Sequence, residues 1–140
     1  MEVLKAKTKD VKKIIEIISM LNTENYNFSE KNKIEEFIKK GLCYVVKDNQ
    51  DIVGATTLNI EEGACEIYAL ATNKKVAGTL LIKEVITFCK ENKLPKLWCW
   101  SLSNYKTKGF YNKMGFKEQF LLKKQCYGED CYFFGMLIKN

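Results

Sequence analysis

Apolar residues recur along this chain with two periods, and the switches between them divide it into elements. Val3 to Lys7 reads as a short strand. A helix is predicted over 9–21, with Thr8 as its cap and Asp10 in the favourable first turn. Val11, Ile14, Ile15, Ile18 and Leu21 fall on one face of it at helical spacing. The segment NTENYNF is a loop by composition. Ser29 is placed to cap a second helix carrying Ile34, Phe37 and Ile38, which Gly41 ends.

Strands follow. Leu42 to Lys47 and Ile52 to Ile60 flank a tight turn at Asp48-Asn49-Gln50-Asp51, a hairpin signal. Gly63 separates them from a strand over 64–72. A helix is predicted from about 77 to 92, with Leu80, Leu81, Val85 and Phe88 inward. Pro95 precedes a strand over 96–102. Ser103 or Asn104 caps a short helix through Met114, and Gly115 ends it. Residues 116–125 and 131–138 form a closing antiparallel pair. The order β-α-α-β-β-β-α-β-α-β-β means a mixed α/β fold with helices packed on one sheet. The crossover from 64–72 through 77–92 to 96–102 implies parallel neighbours.

Composition narrows the chemistry. The 140 residues suit a single domain over 1–140, able to bury a core without staples. Apolar residues make up 46% and charged residues 29%, a globular balance. No apolar run spans a membrane, and the start, MEVLKAKTKDVKK, lacks an apolar signal core, so a cytoplasmic protein is expected. The net charge is +6, and every basic residue is a lysine; the chain has no arginine and no histidine. That excludes a Ser-His-Asp triad, a Cys-His pair, a histidine zinc site and an arginine clamp on phosphate. Lysine holds phosphate as a point charge rather than as a fork. The lysines are scattered, so a nucleic-acid face is not expected. None of the six cysteines forms a CxxC pair, and reduced, buried thiols are the expectation. Cys126 and Cys131 flank Tyr127-Gly128-Glu129-Asp130 and can face each other across a hairpin. No metal site is expected, since zinc wants four ligands.

The last third contains NYKTKGFYNKMGFKE, from Asn104 to Glu118. It resembles the C-terminal signature of the GNAT superfamily of acyl-CoA-dependent N-acetyltransferases, with Asn104, Thr107, Phe110-Tyr111 and Gly115-Phe116 in the family's order. The order of elements is also that of the family. The resemblance covers most of the chain from about Leu42 and, more loosely, the two N-terminal helices. It implies that Cys65 to Thr72 is the family's fourth strand, bulged and splayed from the fifth. Acetyl-CoA then lies against backbone freed around Leu70, Ala71 and Thr72. One N–H, that of Leu70, would polarise the thioester carbonyl as an oxyanion donor.

An alkyl ammonium titrates near about 10.4 and must lose a proton before attack. The resemblance puts Glu66 at the base position, although strand alternation alone would also produce a solvated glutamate there. Tyr111 matches the family tyrosine that protonates the departing thiolate; the alternative is an aromatic that packs the short helix. Asn104 would bond the pantetheine or serve as a plain N-cap. Thr107 and Phe110 belong to the same cofactor-side motif. Without histidine, Cys89 and Cys99 lack an obvious base.

Thr72 to Ile86 reads TNKKVAGTLLIKEVI, where the family has its pyrophosphate loop. Asn73 stands where the family carries Gln or Arg, and Val76 where its first glycine falls; the loop is also shortened. The requirement is backbone N–H groups at a helix N-terminus. Val76, Ala77, Gly78 and Thr79 are the expected donors, with Lys74 and Lys75 adding charge. A positive φ at Val76 would be poorly tolerated.

Tyr26 and Phe28, with the segment around Tyr127 and Tyr132, are the candidate acceptor-side aromatics. The expected activity is acetyl transfer from acetyl-CoA, as co-substrate, to an unidentified primary amine. The alternatives are a non-catalytic acyl-CoA-binding module and an interaction domain that binds no CoA. A homodimer is left open.

Overall fold

The computed structural model describes residues 1–139. Its elements follow the order read from the sequence. The first strand, β1, is Glu2–Lys5. The predicted first helix is α1 (Val11–Ile18) between two short 3-10 turns, Thr8–Asp10 and Ser19–Leu21. Thr8 makes no capping bond; instead the Asp10 carboxylate accepts the Lys7 N–H at 2.9 Å. The second helix, α2, is Lys31–Lys39, and its cap is Glu30 rather than Ser29. The Glu30 carboxylate accepts the N–H groups of Asn32 and Lys33, while the Ser29 hydroxyl is held by Asn27 and Asn22.

Strands β2 (Cys43–Asp48) and β3 (Asp51–Glu61) join through Asn49 and Gln50, with φ of 51° and 78°. Two left-handed residues match the right-handed twist of the flanking strands. Strand β4 is Ala64–Thr72, as predicted. Helix α3 (Lys75–Glu91) starts two residues before the expected position. Its buried stripe is therefore Ala77, Leu81, Ile82, Val85 and Cys89, and Leu80 and Phe88 sit half-buried beside it. Strand β5 is Lys96–Leu102. The predicted short helix is split into a 3-10 turn, Ser103–Tyr105, and α4 (Lys108–Lys113). The break falls at Lys106, whose φ of 57° cannot continue a right-handed helix. Strands β6 (Glu118–Cys126) and β7 (Glu129–Leu137) meet at a two-residue turn, Tyr127-Gly128, with φ of 51° and 81°. The predicted four-residue turn is tighter because Tyr127 accepts the left-handed conformation. The Cys126 thiol donates to Cys131 Sγ at 3.2 Å, and both remain free thiols.

The chain forms two compact units. The first comprises Met1–Asn59 and Tyr68–Val85. Its sheet carries β1, β2 and β3, all antiparallel, and the second half of β4. Ile14, Ile17, Ile18, Ile34 and Phe37 from α1 and α2 pack on Cys43, Val45, Ala55, Ala69 and Ala71. The second unit comprises Ile60–Ile67 and the chain from Ile86 onward. There the first half of β4 pairs parallel with β5, β5 pairs antiparallel with β7, and β7 with β6. The strand order, β1-β2-β3-β4-β5-β7-β6, follows because β4 belongs to both.

Two features of β4 and its neighbours bear on function. The Cys65 thiol hydrogen-bonds Cys89 on α3, whereas Ala69 packs in the α1/α2 core. On β3, Gly54 lets α3 come close. A Cβ there would meet Thr72 Cγ2 at 3.0 Å, Ala77 Cβ at 3.2 Å and Leu81 Cδ1 at 3.4 Å. No helix among the described residues is long and apolar enough to cross a membrane.

Candidate active site

In the first unit, two hydrogen bonds fix which way the β4 backbone faces. The Thr56 hydroxyl donates to the Ala69 carbonyl at 2.7 Å, and the Asn73 N–H donates to the Val53 carbonyl at 2.8 Å. Ala69, Ala71 and Asn73 thus turn their backbone groups toward β3. Strand alternation turns those of Leu70 and Thr72 away from it. The parallel ladder of β4 with β5 consists of Cys65↔Leu97 and Glu66↔Trp98, ahead of Leu70.

The start of α3 gives a different donor set from the expected one. The Ala77 N–H is used by the Lys74 carbonyl at 3.0 Å. Gly78 and Thr79 lie far enough into α3 for their N–H groups to bond back along the helix. The N–H groups of Lys74, Lys75 and Val76 precede the first possible intrahelical bond. Of the predicted amides Val76 to Thr79, only that of Val76 is at the open end of the helix. Val76 is helical, so its side chain causes no backbone strain. Lys74 donates to Asp48 Oδ2 at 2.5 Å and holds the Asp48 carboxyl below its ordinary range. Its charge is thereby partly engaged, and exposed Lys75 is the nearer cation to the first turn.

The expected acceptor-side aromatics are brought together in this unit. Tyr26 lies edge-on to Phe28 at 4.7 Å and to Tyr68 at 6.3 Å. The Tyr26 and Tyr68 hydroxyls hydrogen-bond each other, and Lys33 Nζ donates to Tyr68 at 3.0 Å. That bond raises the Lys33 pKa against the opposing effect of partial burial. Burial raises the Tyr68 pKa, while Lys33 works against the rise. Tyr68 and Lys33 were missed in the sequence. The available signal was alternation, since Tyr68 falls two residues after Glu66.

In the second unit, Glu66 is half-buried beside Trp98 in the ladder. Tyr111 is 6% exposed and stacks on Phe134 at 4.9 Å, with Phe116 and Phe110 edge-on at 5.1 Å and 5.0 Å. Its hydroxyl bonds the Cys99 thiol, and burial first, then Cys99, pushes its pKa well above 10.0. Burial likewise pushes Cys99 up to about 12; Tyr111 opposes this and the Glu66 charge adds to it. Cys99 therefore feels both the Tyr111 hydroxyl and the Glu66 charge. Cys99 is a buried, protonated thiol, not a nucleophile. The Thr107 hydroxyl bonds Ser101 Oγ at 2.5 Å, tying the start of α4 to β5. Asn104 is exposed in the 3-10 turn, and Phe110 is half-buried. Tyr132 stacks on Phe134 at 5.3 Å, and Tyr127 is exposed at the hairpin tip. Among the described residues no group of three or more His, Cys, Asp or Glu is placed to hold a metal.

These features define a mixed-sheet acyltransferase fold. The Acetyltransferase (GNAT) family profile matches residues 11–116, and the chain belongs to that family of acyl-transferring enzymes. The family normally uses acetyl-CoA. Solved structures agree in fold. The ribosomal-protein-alanine N-acetyltransferase of Brucella melitensis is 18% identical, with a TM-score of 0.80 over 98% of this chain and 99% of that one. Ard1 from Thermoplasma volcanium is 16% identical, with a TM-score of 0.84 over 99% and 98%. A GNAT-family acetyltransferase from Bacillus cereus ATCC 10987 is 19% identical, with a TM-score of 0.79 over 99% and 98%. At these identities the likeness is one of fold. No match is found among curated proteins.

Proposed function

We propose that this chain transfers the acetyl group of acetyl-CoA to a primary amine by direct attack. The observation that carries the reading is the turn of the β4 backbone. A strand in a GNAT-family chain directs the Leu70 N–H away from β3, beyond the last β4–β5 ladder pair. Leu70 is the oxyanion donor in this reading, and Ala71 and Thr72 continue the cofactor-side strand.

Acetyl-CoA, as substrate, supplies the activated thioester. The N–H groups of Lys74, Lys75 and Val76 hold its pyrophosphate, helped by the α3 dipole and the Lys75 charge. Ala77, Gly78 and Thr79 shape that turn; their amides are committed to the helix. Close seating of α3 on Gly54 is consistent with a fixed first turn. Asn104, Thr107 and Phe110 form the cofactor-side edge of α4. Glu66 takes the proton from the incoming ammonium, and Tyr111 gives one to the departing sulfur. The raised Tyr111 pKa keeps that proton on oxygen at neutral pH. Tyr26 and Phe28 line the acceptor side.

The burial of Tyr111 favours one rival reading, an acyl-CoA-binding module in which this tyrosine only packs. Calorimetric titration with acetyl-CoA tests both: no heat at high micromolar protein sinks both. If binding occurs, mass spectrometry of an amine panel separates them. Tyr111→Phe should lower the rate of acetylated-product formation at least ten-fold, about 1.4 kcal/mol, with acetyl-CoA binding retained. An unchanged rate removes Tyr111 from the acid role.

A further inference from the structure

One face of the second unit carries an aromatic surface that the reading above does not use. Directly opposed residues share a face of a sheet. The register sets Trp98 opposite Gly135, Trp100 opposite Phe133, and Phe133 opposite Phe120. Glu66 lies beside Trp98 in the parallel ladder, with Cβ atoms roughly 5 Å apart. Trp98 stacks on Phe133 at 5.7 Å with 20° between the planes. Trp100 stands edge-on to Phe133 at 5.4 Å and to Trp98 at 5.8 Å.

The platform depends on a missing side chain. A Cβ at Gly135 would meet Phe133 Cε1 at 3.0 Å and Lys96 Cε at 3.1 Å. These two side chains, with the still nearer Glu118 carboxylate at 2.7 Å, lean across the space that glycine leaves. Trp100 is 42% exposed and Phe120 is 56% exposed, so aromatic faces remain open to solvent. Open aromatic patches mark binding surfaces.

Charge selects the occupant. Lys96 and Glu118 pair with each other at one end, and Lys96 Nζ sits 5.8 Å from the Phe133 centroid. The surface thus already carries one ammonium over a ring. On the neighbouring strand Glu66, the ladder partner of Trp98, brings a carboxylate-bearing side chain to the same face. A carboxylate beside π-faces favours a cation that also carries an aromatic ring. We infer that the Trp98–Trp100–Phe133 platform, with Glu66, recognises the acceptor as a protonated arylalkyl amine. The ring lies against the platform and the ammonium points to Glu66. This rests on the proposed transfer reading, in which Glu66 then removes the proton.

Trp98 and Trp100 are the only tryptophans in the chain, so its intrinsic emission reports this surface. The test titrates the full chain with 2-phenylethylamine at neutral pH, without acetyl-CoA. A saturable change in emission is expected. Propylamine should bind at least ten-fold more weakly, and 3-phenylpropionate should give no saturable change. Glu66→Gln and Trp100→Leu should each weaken the probe on the order of ten-fold. Trp100 is open to solvent, so its replacement spares the core and leaves Trp98 as reporter. Equal binding of 3-phenylpropionate, no saturation, or an unchanged Glu66→Gln affinity overturns the inference. A doubled mass in light scattering that Trp100→Leu abolishes also overturns it, since a second copy would then cover the face. Probe binding with no amine acetylated would sink the transfer reading and leave the platform standing. Acetylation of other amines without probe binding would sink the platform alone.

Discussion

Tyr68 and Tyr111 are each the hub of an aromatic cluster, and the two clusters hold a phenol proton by different means. Tyr68 meets Phe37 at 5.3 Å and Phe28 at 5.7 Å, but its hydroxyl answers to Tyr26 and to a lysine. Lys33 Nζ is also 4.5 Å from its ring centroid. Tyr111 is enclosed by Phe110, Phe116 and Phe134, and its hydroxyl answers to a thiol that is itself buried. Both pKa values rise through burial. At Tyr68 an ammonium pulls back; at Tyr111 nothing cationic does. One proton is set by an adjustable charge, the other by exclusion of water. A neighbouring charge can retune the first, whereas the second shifts only with the burial and the thiol around it.

The largest test of this contrast is truncation. Tyr111→Ala should cost about 3–5 kcal/mol in denaturant unfolding, as for buried aromatic residues. Tyr68→Ala should cost clearly less, and equal losses would erase the distinction. Alkaline pH comes next. A folded-state pKa raised above 10.0 means that the Tyr111 contribution is complete below that pH. It is then lost as pH climbs toward the folded value, because the unfolded chain releases the proton first. Tyr111→Phe should lose less stability than the parent chain above pH 10.0, and parallel curves would refute the buried phenol. The smallest effect is at Tyr68→Phe. It removes a hydroxyl bonded to Lys33 and Tyr26, at about 0.5–1.5 kcal/mol. Lys33 titration, followed by NMR of its side chain, should move down toward 10.5. A Lys33 pKa that does not move would mean that the phenol is not what raises it.

Periodicity carried the fold well because each strand and helix buries one face, and burial is what the apolar spacing encodes. β4 was legible to its ends: Gly63 precedes it, and alternation runs unbroken to Thr72. The start of α3 was not. The expected loop was drawn to fit a glycine at position 78, yet the Asn73 N–H already closes onto Val53, so the helix begins at once. Glu66, Leu70 and Tyr111 were visible as candidates from their own segments. Their neighbours were not, because Cys99 beneath Tyr111 and Trp98 beside Glu66 depend on pairing between distant strands. The same limit hid the aromatic platform. Residue types named Tyr26, Phe28, Tyr127 and Tyr132, whereas the grouping of Trp98, Trp100 and Phe133 on one face shows only in the strand register.

The close approach at Gly54 has a mechanical consequence. Thr72, Ala77 and Leu81 all lie within 3.0–3.4 Å of where its side chain would begin. The residue behaves as a shim of zero thickness beneath the first turn of α3. One added carbon at Gly54→Ala should lift that turn by a few tenths of an ångström, at about 1–3 kcal/mol in stability. Acetyl-CoA affinity should fall with it, while the pH profile of any acetyl transfer keeps its shape. Calorimetry and a pH–rate series would read the two separately. In the proposed reading, the grip on the substrate phosphate would then be a matter of machining tolerance, set at a residue that touches no reacting group.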